Sequence, residues 1–292
     1  MEGSFYSGGR LWGGPEKIKV FFVLEFSKSF ESVSGWNEHG IERNISQIYG
    51  SDHMTRRDSM DYGVVVQSYW DAPTAGLMAN YQVVAGDQIL VKIAISYTST
   101  ENAWENLNVE LDHWDFDLVQ ENAEYEWNEM LQRIEVIGGS EHQKIKFYTD
   151  LWHVLLGRKI INDVKGTYPD YTQGERNWKF TKSDLKVRKL PMNKLGKPLF
   201  NMYNSDALWL THWNLNVLWG LAWPEILDDF SASLVQYAKN VVLLPRGPNV
   251  GGYSYIMTGN PATSLLVSAY QKGIMNKTSP CLLYTSPSPR DS

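Results

Sequence analysis

The stretch Ser140–Gly157, S-E-H-Q-K-I-K-F-Y-T-D-L-W-H-V-L-L-G, decides how the chain is organised. Ser140 and Gln143 have the spacing of a capping box, in which two side chains satisfy free N–H groups at the start of a helix. Behind them, apolar side chains recur every three or four residues, at Ile145, Tyr148, Trp152 and Leu155. This periodicity is typical of an amphipathic helix with one buried face. The stretch therefore predicts a helix that opens at Ser140 and ends at Gly157.

More helices are predicted on the C-terminal side. Asp206–Leu221 is broadly apolar, and Pro224 lies where the first turn of a further helix tolerates proline. Asn260 and Pro261 can start a last helix, and residues 172–197 predict a small hairpin within a polar segment. Because long polar loops join these helices, the pattern favours an α/α barrel over a short-loop bundle.

The residues before Thr100 predict β-structure. β-branched and aromatic side chains concentrate in four candidate strands, Lys17–Phe26, Tyr62–Tyr69, Met78–Val84 and Ile89–Tyr97. Gly86 and Asp87 predict a tight turn between the last two, whereas residues 37–57 predict a loop. Regularly spaced strands without intervening helices favour an antiparallel sandwich.

Two helical patterns separate the strands from the predicted barrel. Thr100 can cap the first helix, with Glu101 in its first turn near the positive helix end. The second helix is predicted to end at Gly138 and Gly139. Its apolar row consists of Val119, Ala123, Trp127, Leu131 and Ile134.

These patterns divide the chain into four parts. We predict a partial β-sandwich over residues 1–99, linker helices over 100–139 and a partial α/α barrel over 140–277. Residues 278–292 are rich in proline and serine and predict a non-native or disordered tail. The predicted fold class is α+β and multidomain, with the C-terminal part of a β-sandwich followed by the first helices of an incomplete (α/α)6 barrel. We therefore expect an incomplete part of a larger protein.

Composition limits the possible functions. The net charge of −6 argues against nucleic acid as a partner, since phosphate contacts need clustered Lys and Arg. No apolar run reaches the roughly eighteen residues of a membrane span. The single cysteine, Cys281, lies in the predicted tail, so neither a disulfide framework nor a thiol nucleophile is expected. Twelve Trp and sixteen Tyr point weakly to carbohydrate, because an aromatic face packs well against the apolar face of a sugar ring. The alternative is that these large aromatic side chains fill the core, as most single tryptophans do.

Ordered motifs along the chain carry a family resemblance. They are F-V-L-E-F-S-K-S-F at Phe22–Phe30, I-S-Y-T-S-T-E-N-A-W-E-N-L at Ile95–Leu107, the segment Asp115–Gly139, F-Y-T-D-L-W-H at Phe147–His153, N-D-V-K-G-T-Y at Asn162–Tyr168 and S-A-Y-Q-K-G-I at Ser268–Ile274. Because these motifs occur in this order and are distributed from Phe22 to Ile274, the chain resembles glycoside hydrolase family 92, the exo-acting, calcium-dependent α-mannosidases. The resemblance implies a truncated fragment of a divergent member.

Two stretches depart from the family pattern. The usual S-L-W-D-T-F-R reads A-L-W-L-T-H-W at Ala207–Trp213, so Leu210 and Trp213 replace an aspartate and an arginine. The usual E-T-N-C-M-I-G reads Y-S-Y-I-M-T-G at Tyr253–Gly259, with Tyr253 in the glutamate position. Since the resemblance implies that both stretches line a pocket, we expect an altered sugar specificity.

The resemblance also implies a mechanism. An inverting glycosidase uses a general acid and a general base whose carboxyl groups stand about 6.5–9.5 Å apart, which leaves room for the attacking water. The family's acid, base and calcium ligands belong to motifs beyond the matching region, so no catalytic residue and no metal ligand is assigned. We expect calcium to serve the full-length member, this chain to be inactive alone, and the protein to be exported to the periplasm or the cell exterior.

Four residues are candidates for sugar binding. Asp206 can hydrogen bond to sugar hydroxyls with Trp209 as a stacking wall, and the alternative is a helix cap beside a core tryptophan. Arg246 and Asn249 can donate to sugar hydroxyls from the glycine-rich loop Leu244–Gly252. The alternative for these two residues is an ordinary interhelical loop.

Three other polar residues are given structural roles. Asp163 and Asp170 lie in turn-rich sequence and predict turn caps. His153 lies near an apolar helix face and predicts a hydrogen-bonded core histidine.

Three functions stay open on this evidence. The first is an α-mannosidase-type hydrolase acting on glycans. The second is a non-catalytic carbohydrate-binding relative, which the changed motifs permit. The third is an exo-glycosidase that accepts another sugar.

Overall fold

Strands dominate the first third of the molecule and helices dominate the remainder. The computed structural model describes residues 1–8, 14–50, 56–61, 64–69, 75–157, 159–176, 181–204, 208–211, 213–241, 243–254 and 259–279. Within these ranges, every helix is too short or too polar to cross a membrane.

The β-rich part consists of antiparallel units. Its strands are β1 (Glu2–Gly8), β2 (Lys17–Phe26), β3 (Ser32–Asn37), β4 (Gly40–Arg43), β5 (Arg56–Asp61), β6 (Val64–Tyr69), β7 (Ala75–Asn80) and β8 (Val91–Ser96). They form the sheet β1-β2-β8, the sheet β4-β3-β7 and the hairpin β5-β6. The strand predicted at Lys17–Phe26 is confirmed with the same bounds. Ile18 and Val20 are buried on one of its faces, as the period of two in a strand requires.

Two local predictions in this region are wrong. β7 ends before Val84 and pairs with β3, whereas β8 pairs with β2. The tight turn predicted at Gly86 and Asp87 is confirmed, since the Asp87 N–H donates to the Val84 carbonyl oxygen at 3.1 Å, and it connects two different sheets. Residues 37–57, predicted as a loop, include β4, which pairs with β3. The pairings of β7 and β8 join strands far apart in sequence, which local periodicity does not indicate, whereas β3 and β4 are neighbours joined at Asn37 and Gly40.

Seven helices lie in the described ranges. They are α1 (Thr100–Glu110), α2 (Phe116–Leu131), α3 (Glu141–Leu155), α4 (Leu208–Thr211), α5 (Leu215–Ala222), α6 (Pro224–Val241) and α7 (Pro261–Gln271). The capping box that opens α3 is confirmed. The Ser140 N–H donates to Oε1 of Gln143 at 2.8 Å, and the Gln143 N–H donates to Oγ of Ser140 at 3.3 Å.

Several helix boundaries differ from their predictions. Ser99, not Thr100, caps α1, because its Oγ accepts the N–H of Asn102 at 3.1 Å. α2 stops at Leu131, well before the predicted end at Gly138. The helix predicted over 206–221 is interrupted and gives α4 and α5.

The buried face of α3 is also shifted from its prediction. Leu151 is the buried residue of this helix, whereas Ile145 is 58% exposed. His153 is exposed and its ring packs against Trp152 with centroids 4.9 Å apart, so the core role predicted for it is wrong.

Short strands connect the helices. They are β9 (Lys159–Ile160), β10 (Thr167–Asp170), β11 (Glu175–Arg176), β12 (Thr181–Lys182), β13 (Lys186–Lys189), β14 (Tyr203–Asn204), β15 (Gly247–Asn249) and β16 (Gly252–Ser254). The pair β11-β12 confirms the hairpin predicted within 172–197.

The main hydrophobic core lies around α6. Phe230 and Leu234 of this helix pack with Trp219 and Trp223 from α5 and its end, all of them buried. The Nε1–H of Trp223 donates to the Met130 carbonyl oxygen at 3.2 Å, which ties α2 to this core.

The fold as a whole is mixed α/β, with antiparallel sheets preceding the helices. The sandwich and barrel assignments, and the boundaries 1–99, 100–139, 140–277 and 278–292, stay predictions.

Candidate functional site

The two stretches that carry the candidate sugar-binding residues meet in the structure. Asn204 lies two residues before Asp206, and its Oδ1 accepts the backbone N–H of Val250 at 2.9 Å. Val250 directly follows Asn249 and belongs to the same loop as Arg246. The structure therefore places side by side two stretches that are more than forty residues apart in sequence. Asp206 itself lies outside the described residues.

The loop between α6 and α7 ends in a two-residue β-hairpin turn. Asn249 pairs with Gly252, and the central residues Val250 and Gly251 have φ angles of 41° and 81°. Positive φ at both central residues is what a type I′ turn requires. A β-branched residue such as Val250 is strained in this region of backbone space, so surrounding contacts have to hold it there.

Two further hydrogen bonds fix the tip of this hairpin. The Gly251 N–H donates to the Tyr237 hydroxyl at 3.2 Å, and its carbonyl oxygen accepts the Tyr171 N–H at 2.9 Å. A Cβ on residue 251 would collide with the carbonyl oxygen of Pro169. Glycine is therefore required here because the backbone packs closely against the protein itself.

The candidate side chains around this contact differ in accessibility. Trp209, on α4, is 37% exposed, which leaves its indole accessible to a sugar ring. Arg246 is exposed and Asn249 is partly buried. Leu210 and Trp213, at the family's aspartate and arginine positions, are 50% and 76% exposed. The surface next to Trp209 is therefore apolar where the family pattern has charge.

Tyr253, at the family's glutamate position, is a core residue. It is buried, and its hydroxyl donates to the Tyr237 carbonyl oxygen at 3.1 Å. Burial raises the pKa of the Tyr237 hydroxyl, which keeps the proton that it donates to the Tyr203 carbonyl oxygen at 3.3 Å. Tyr253 therefore anchors strand β16 to helix α6 within the core.

Asp163 is the centre of a buried hydrogen-bond network. One carboxylate oxygen accepts Nδ2–H of Asn106 at 2.9 Å, and the other accepts the hydroxyls of Thr98 and of Thr167, the latter at 2.7 Å. The network joins the segment after β8, helix α1 and the turn before β10. Asp163 therefore does more than cap a turn as predicted. Both of its carboxylate oxygens already accept hydrogen bonds from protein donors.

Asp170 is a turn cap, as predicted. Its Oδ1 accepts the Thr172 N–H at 2.9 Å and the Thr172 hydroxyl at 2.6 Å, and its Oδ2 pairs with Nε of Arg188. Both oxygens are occupied and the side chain is buried, so Asp170 is not available to a sugar.

A cleft that was not predicted from sequence opens between α2, the end of α3 and α5. Its volume is about 330 Å³, and its lining consists of Glu126, Trp127, Met130, Leu155, Ile160, Tyr203, Trp219 and Ile226. Glu126 carries the one charge in this lining, and an inverting hydrolysis needs two carboxyl groups. The predicted apolar rows of the two helices α2 and α3 contain Trp127 and Leu155, and these rows were sequence signals for this cleft.

A calcium site would need a cluster of oxygen ligands. Calcium takes six to eight oxygen ligands, with carboxylates prominent among them. Within the described ranges, no group of three or more His, Cys, Asp or Glu side chains is placed to hold a metal ion.

Comparison with known proteins identifies the family. Residues 102–286, more than half of the chain, match the family model described as "Glycosyl hydrolase family 92 catalytic domain". No curated protein matches the chain at a significant level.

Solved structures share the fold over nearly the whole chain. A family GH92 inverting mannosidase from Bacteroides thetaiotaomicron VPI-5482 superposes with a TM-score of 0.67 at 22% identity, over 92% of this chain and 31% of that chain. A GH92 α-mannosidase from Bacteroides thetaiotaomicron superposes with a TM-score of 0.71 at 21% identity, over 94% and 32%. The same enzyme in complex with mannoimidazole gives 0.70 at 22% identity, over 94% and 31%.

This chain thus spans about a third of the length of the solved structures that it matches. The profile match and the shared fold agree with the motifs read along the sequence, and the changed residues at 210, 213 and 253 mark a divergent member. The chain belongs to glycosyl hydrolase family 92.

Proposed function

We propose that this chain is part of an inverting exo-α-mannosidase that acts on glycans. The observation that carries the proposal is the family match over residues 102–286. The two mannosidases that share its fold support the same reaction class. The strand and helix patterns of the sequence are the reason for proposing that residues 1–99 form part of a β-sandwich and residues 140–277 part of an (α/α)6 barrel.

The chain is proposed to be inactive by itself. Asp163 and Asp170 are buried with their oxygens occupied by protein donors, and Glu126 is the single carboxylate of the apolar cleft. None of these arrangements supplies an acid and a base on opposite faces of a sugar. The catalytic pair and the calcium ligands are therefore proposed to belong to polypeptide outside these residues.

The sugar-binding contribution of this chain is proposed to come from Asp206, Trp209, Arg246 and Asn249. The contact between Asn204 and Val250 supports this grouping, because it joins the stretch before Asp206 to the loop of Arg246. Trp209 offers an accessible aromatic face, and Arg246 and Asn249 offer N–H donors. Export to the periplasm or the cell exterior, where glycans are encountered, is proposed on family grounds.

A purely carbohydrate-binding relative is the second candidate. Leu210 and Trp213 favour it, since they replace the charged residues of the family motif with exposed apolar side chains. An exo-glycosidase for another sugar is the third candidate, and the same two residues favour it.

The experiment that tests the proposal is a hydrolysis assay on the purified 292-residue chain. The chain is incubated with an aryl α-mannoside and calcium, and release of the aryl group is compared with a blank. The proposal predicts no release above the blank. Turnover would show that an acid–base pair is present in this chain. It would contradict the proposal that the catalytic pair belongs to polypeptide outside these residues.

A second assay separates the three candidates. The full-length GH92 α-mannosidase from Bacteroides thetaiotaomicron is altered to carry leucine and tryptophan at the two positions that match Leu210 and Trp213. This variant is assayed with α-mannoside and α-glucoside. Retained mannosidase activity supports the main proposal. A switch of sugar favours the third candidate, and binding without turnover favours the second.

A further inference from the structure

Two stretches of the chain have the pattern Asn-X-Ser/Thr, in which X is any residue except proline. They are Asn44-Ile45-Ser46 and Asn276-Lys277-Thr278. This pattern marks an asparagine that can accept an N-linked glycan on the surface of an exported protein. The surroundings of each asparagine in the folded chain distinguish the two stretches.

Asn44 lies at a turn on the surface of the β-rich part. It directly follows β4, which is an edge strand of the sheet β4-β3-β7. Its φ is 54°, in the left-handed region that asparagine adopts more readily than most residues, so the chain bends away from the strand here. Asn44 and Ser46 are both exposed. A bulky group on the Asn44 side chain can therefore extend into solvent.

Ile45, the middle residue of this stretch, fixes the turn to the sheet. Its N–H donates to the Val33 carbonyl oxygen at 3.1 Å. Its side chain packs over Gly35, because a Cβ added to residue 35 would collide with Cδ1 of Ile45. The turn is thus anchored through the one residue of the stretch that the acceptor pattern leaves variable. The two residues that the pattern requires, Asn44 and Ser46, stay on the outside.

The second stretch is engaged in the fold. Nδ2–H of Asn276 donates to the Ile274 carbonyl oxygen at 3.0 Å, and its backbone N–H donates to Oδ1 of Asp228 at 2.9 Å. These bonds tie the segment after α7 to helix α6. A sugar bonded to Nδ2 replaces one of its two hydrogens and would crowd this contact. Thr278, which completes the pattern, also belongs to the predicted tail 278–292.

We propose that Asn44 carries an N-linked glycan in the exported protein, and that Asn276 stays unmodified. The donor is an oligosaccharide linked to a lipid through a diphosphate. The Asn44 amide nitrogen forms a bond to C1 of the first sugar, while the bond from C1 to the diphosphate oxygen breaks. The lipid diphosphate leaves, and the amide loses one proton. The proposal rests on the export part of the proposed function and not on the mannosidase reaction.

The test uses the full 292-residue chain, secreted by a eukaryotic cell line behind a cleavable signal peptide. The added signal peptide separates this test from the proposed export of the natural protein. Tryptic peptides are treated with peptide-N-glycosidase, which leaves aspartate where a glycan was attached. Mass spectrometry is expected to find this conversion at residue 44 and not at residue 276. The cell extract is analysed in the same way, so the result does not require efficient folding or secretion.

Variants assign the modification to Asn44. Asn44→Gln keeps an amide side chain and is expected to abolish the shift in gel mobility that peptide-N-glycosidase causes. Ser46→Ala is expected to abolish the shift with Asn44 still in place, and Ser46→Thr is expected to retain it, since the pattern accepts either hydroxyl residue. Asn276→Gln is the matched control and is expected to leave the shift unchanged.

Three results would overturn the proposal. They are an unconverted residue 44 in both the secreted and the cell-associated chain, conversion at residue 276, and a mobility shift that survives in both Asn44→Gln and Ser46→Ala. The hydrolysis assay bears on the mannosidase proposal alone, so the two proposals fail independently.

Discussion

The side-chain oxygen of Asn204 accepts the backbone N–H of Val250 at 2.9 Å. This bond joins the end of β14 to the strained tip of the β15–β16 hairpin, and so sets Arg246 and Asn249 beside the stretch that leads to Trp209. The stretch before Asp206 and the loop of Arg246 and Asn249 therefore meet at this bond.

Asn204→Ala is expected to loosen the hairpin tip. The substitution leaves the Val250 N–H without its acceptor and should lower the free energy of unfolding by about 1–2 kcal/mol. Urea denaturation followed by tryptophan fluorescence measures the change. Asn128→Ala, on the exposed side of α2, is the control and should alter stability by less than about 0.5 kcal/mol. Equal effects from the two variants would contradict the role given to Asn204.

Gly251→Ala is expected to destabilise more strongly. Residue 251 has a φ of 81°, and an added Cβ would also collide with the Pro169 carbonyl oxygen. The loss should be about 3 kcal/mol or more, since strain and collision combine. Gly196→Ala is the control, because Gly196 has a φ of 73° but no heavy atom within 4 Å of the added Cβ. It should cost about 1 kcal/mol. If both variants have the same denaturation midpoint, the close approach to Pro169 is not real.

Asp163→Asn is expected to disrupt the buried network. An amide group replaces one of the two acceptor oxygens, so that at least one of Asn106, Thr98 and Thr167 loses its partner. The expected cost is about 2–3 kcal/mol. Asp150→Asn is the control, because Asp150 forms an exposed ion pair with Lys146 four residues earlier. It should cost less than about 0.5 kcal/mol. A comparable loss in both variants would remove the argument for a network centred on Asp163.

Glu110 is expected to make the stability of the folded protein depend on pH. Burial, and then the charge of Asp163, raise the pKa of the Glu110 carboxyl above its ordinary value of 4.5. A raised pKa in the folded state favours the protonated form, so stability falls as the pH rises through that pKa. Glu110→Gln should therefore raise the melting temperature slightly at pH 7 and leave it unchanged well below the ordinary pKa. A larger gain at acid pH than at neutral pH would contradict this assignment.

Local signals in the sequence predicted local structure well. The capping box of Ser140 and Gln143 and the cap of α7 by Asn260 both form, because each needs only neighbouring residues to meet. The strand at Lys17–Phe26 follows from its own side chains. The family motifs indicated the family because several different motifs follow one another in order from Phe22 to Ile274.

Features that depend on distant contacts were not predictable in this way. No pattern around Gly86 shows that β7 and β8 belong to different sheets, since their partners lie earlier in the chain. Nothing in the sequence predicts a positive φ at Val250, which the contacts with Asn204 and the neighbouring Gly251 hold in place. The exposure of His153 depends likewise on which side of α3 the core approaches.

We propose that this chain contributes sugar binding to a family 92 mannosidase without supplying its catalytic pair. Proton NMR of an α-linked mannobiose with the intact chain and calcium tests both halves together. We expect saturation transfer to the disaccharide, its loss in Trp209→Ala, and no free mannose signal over a day. Free mannose above the blank, or no saturation transfer from the unaltered chain, would contradict it.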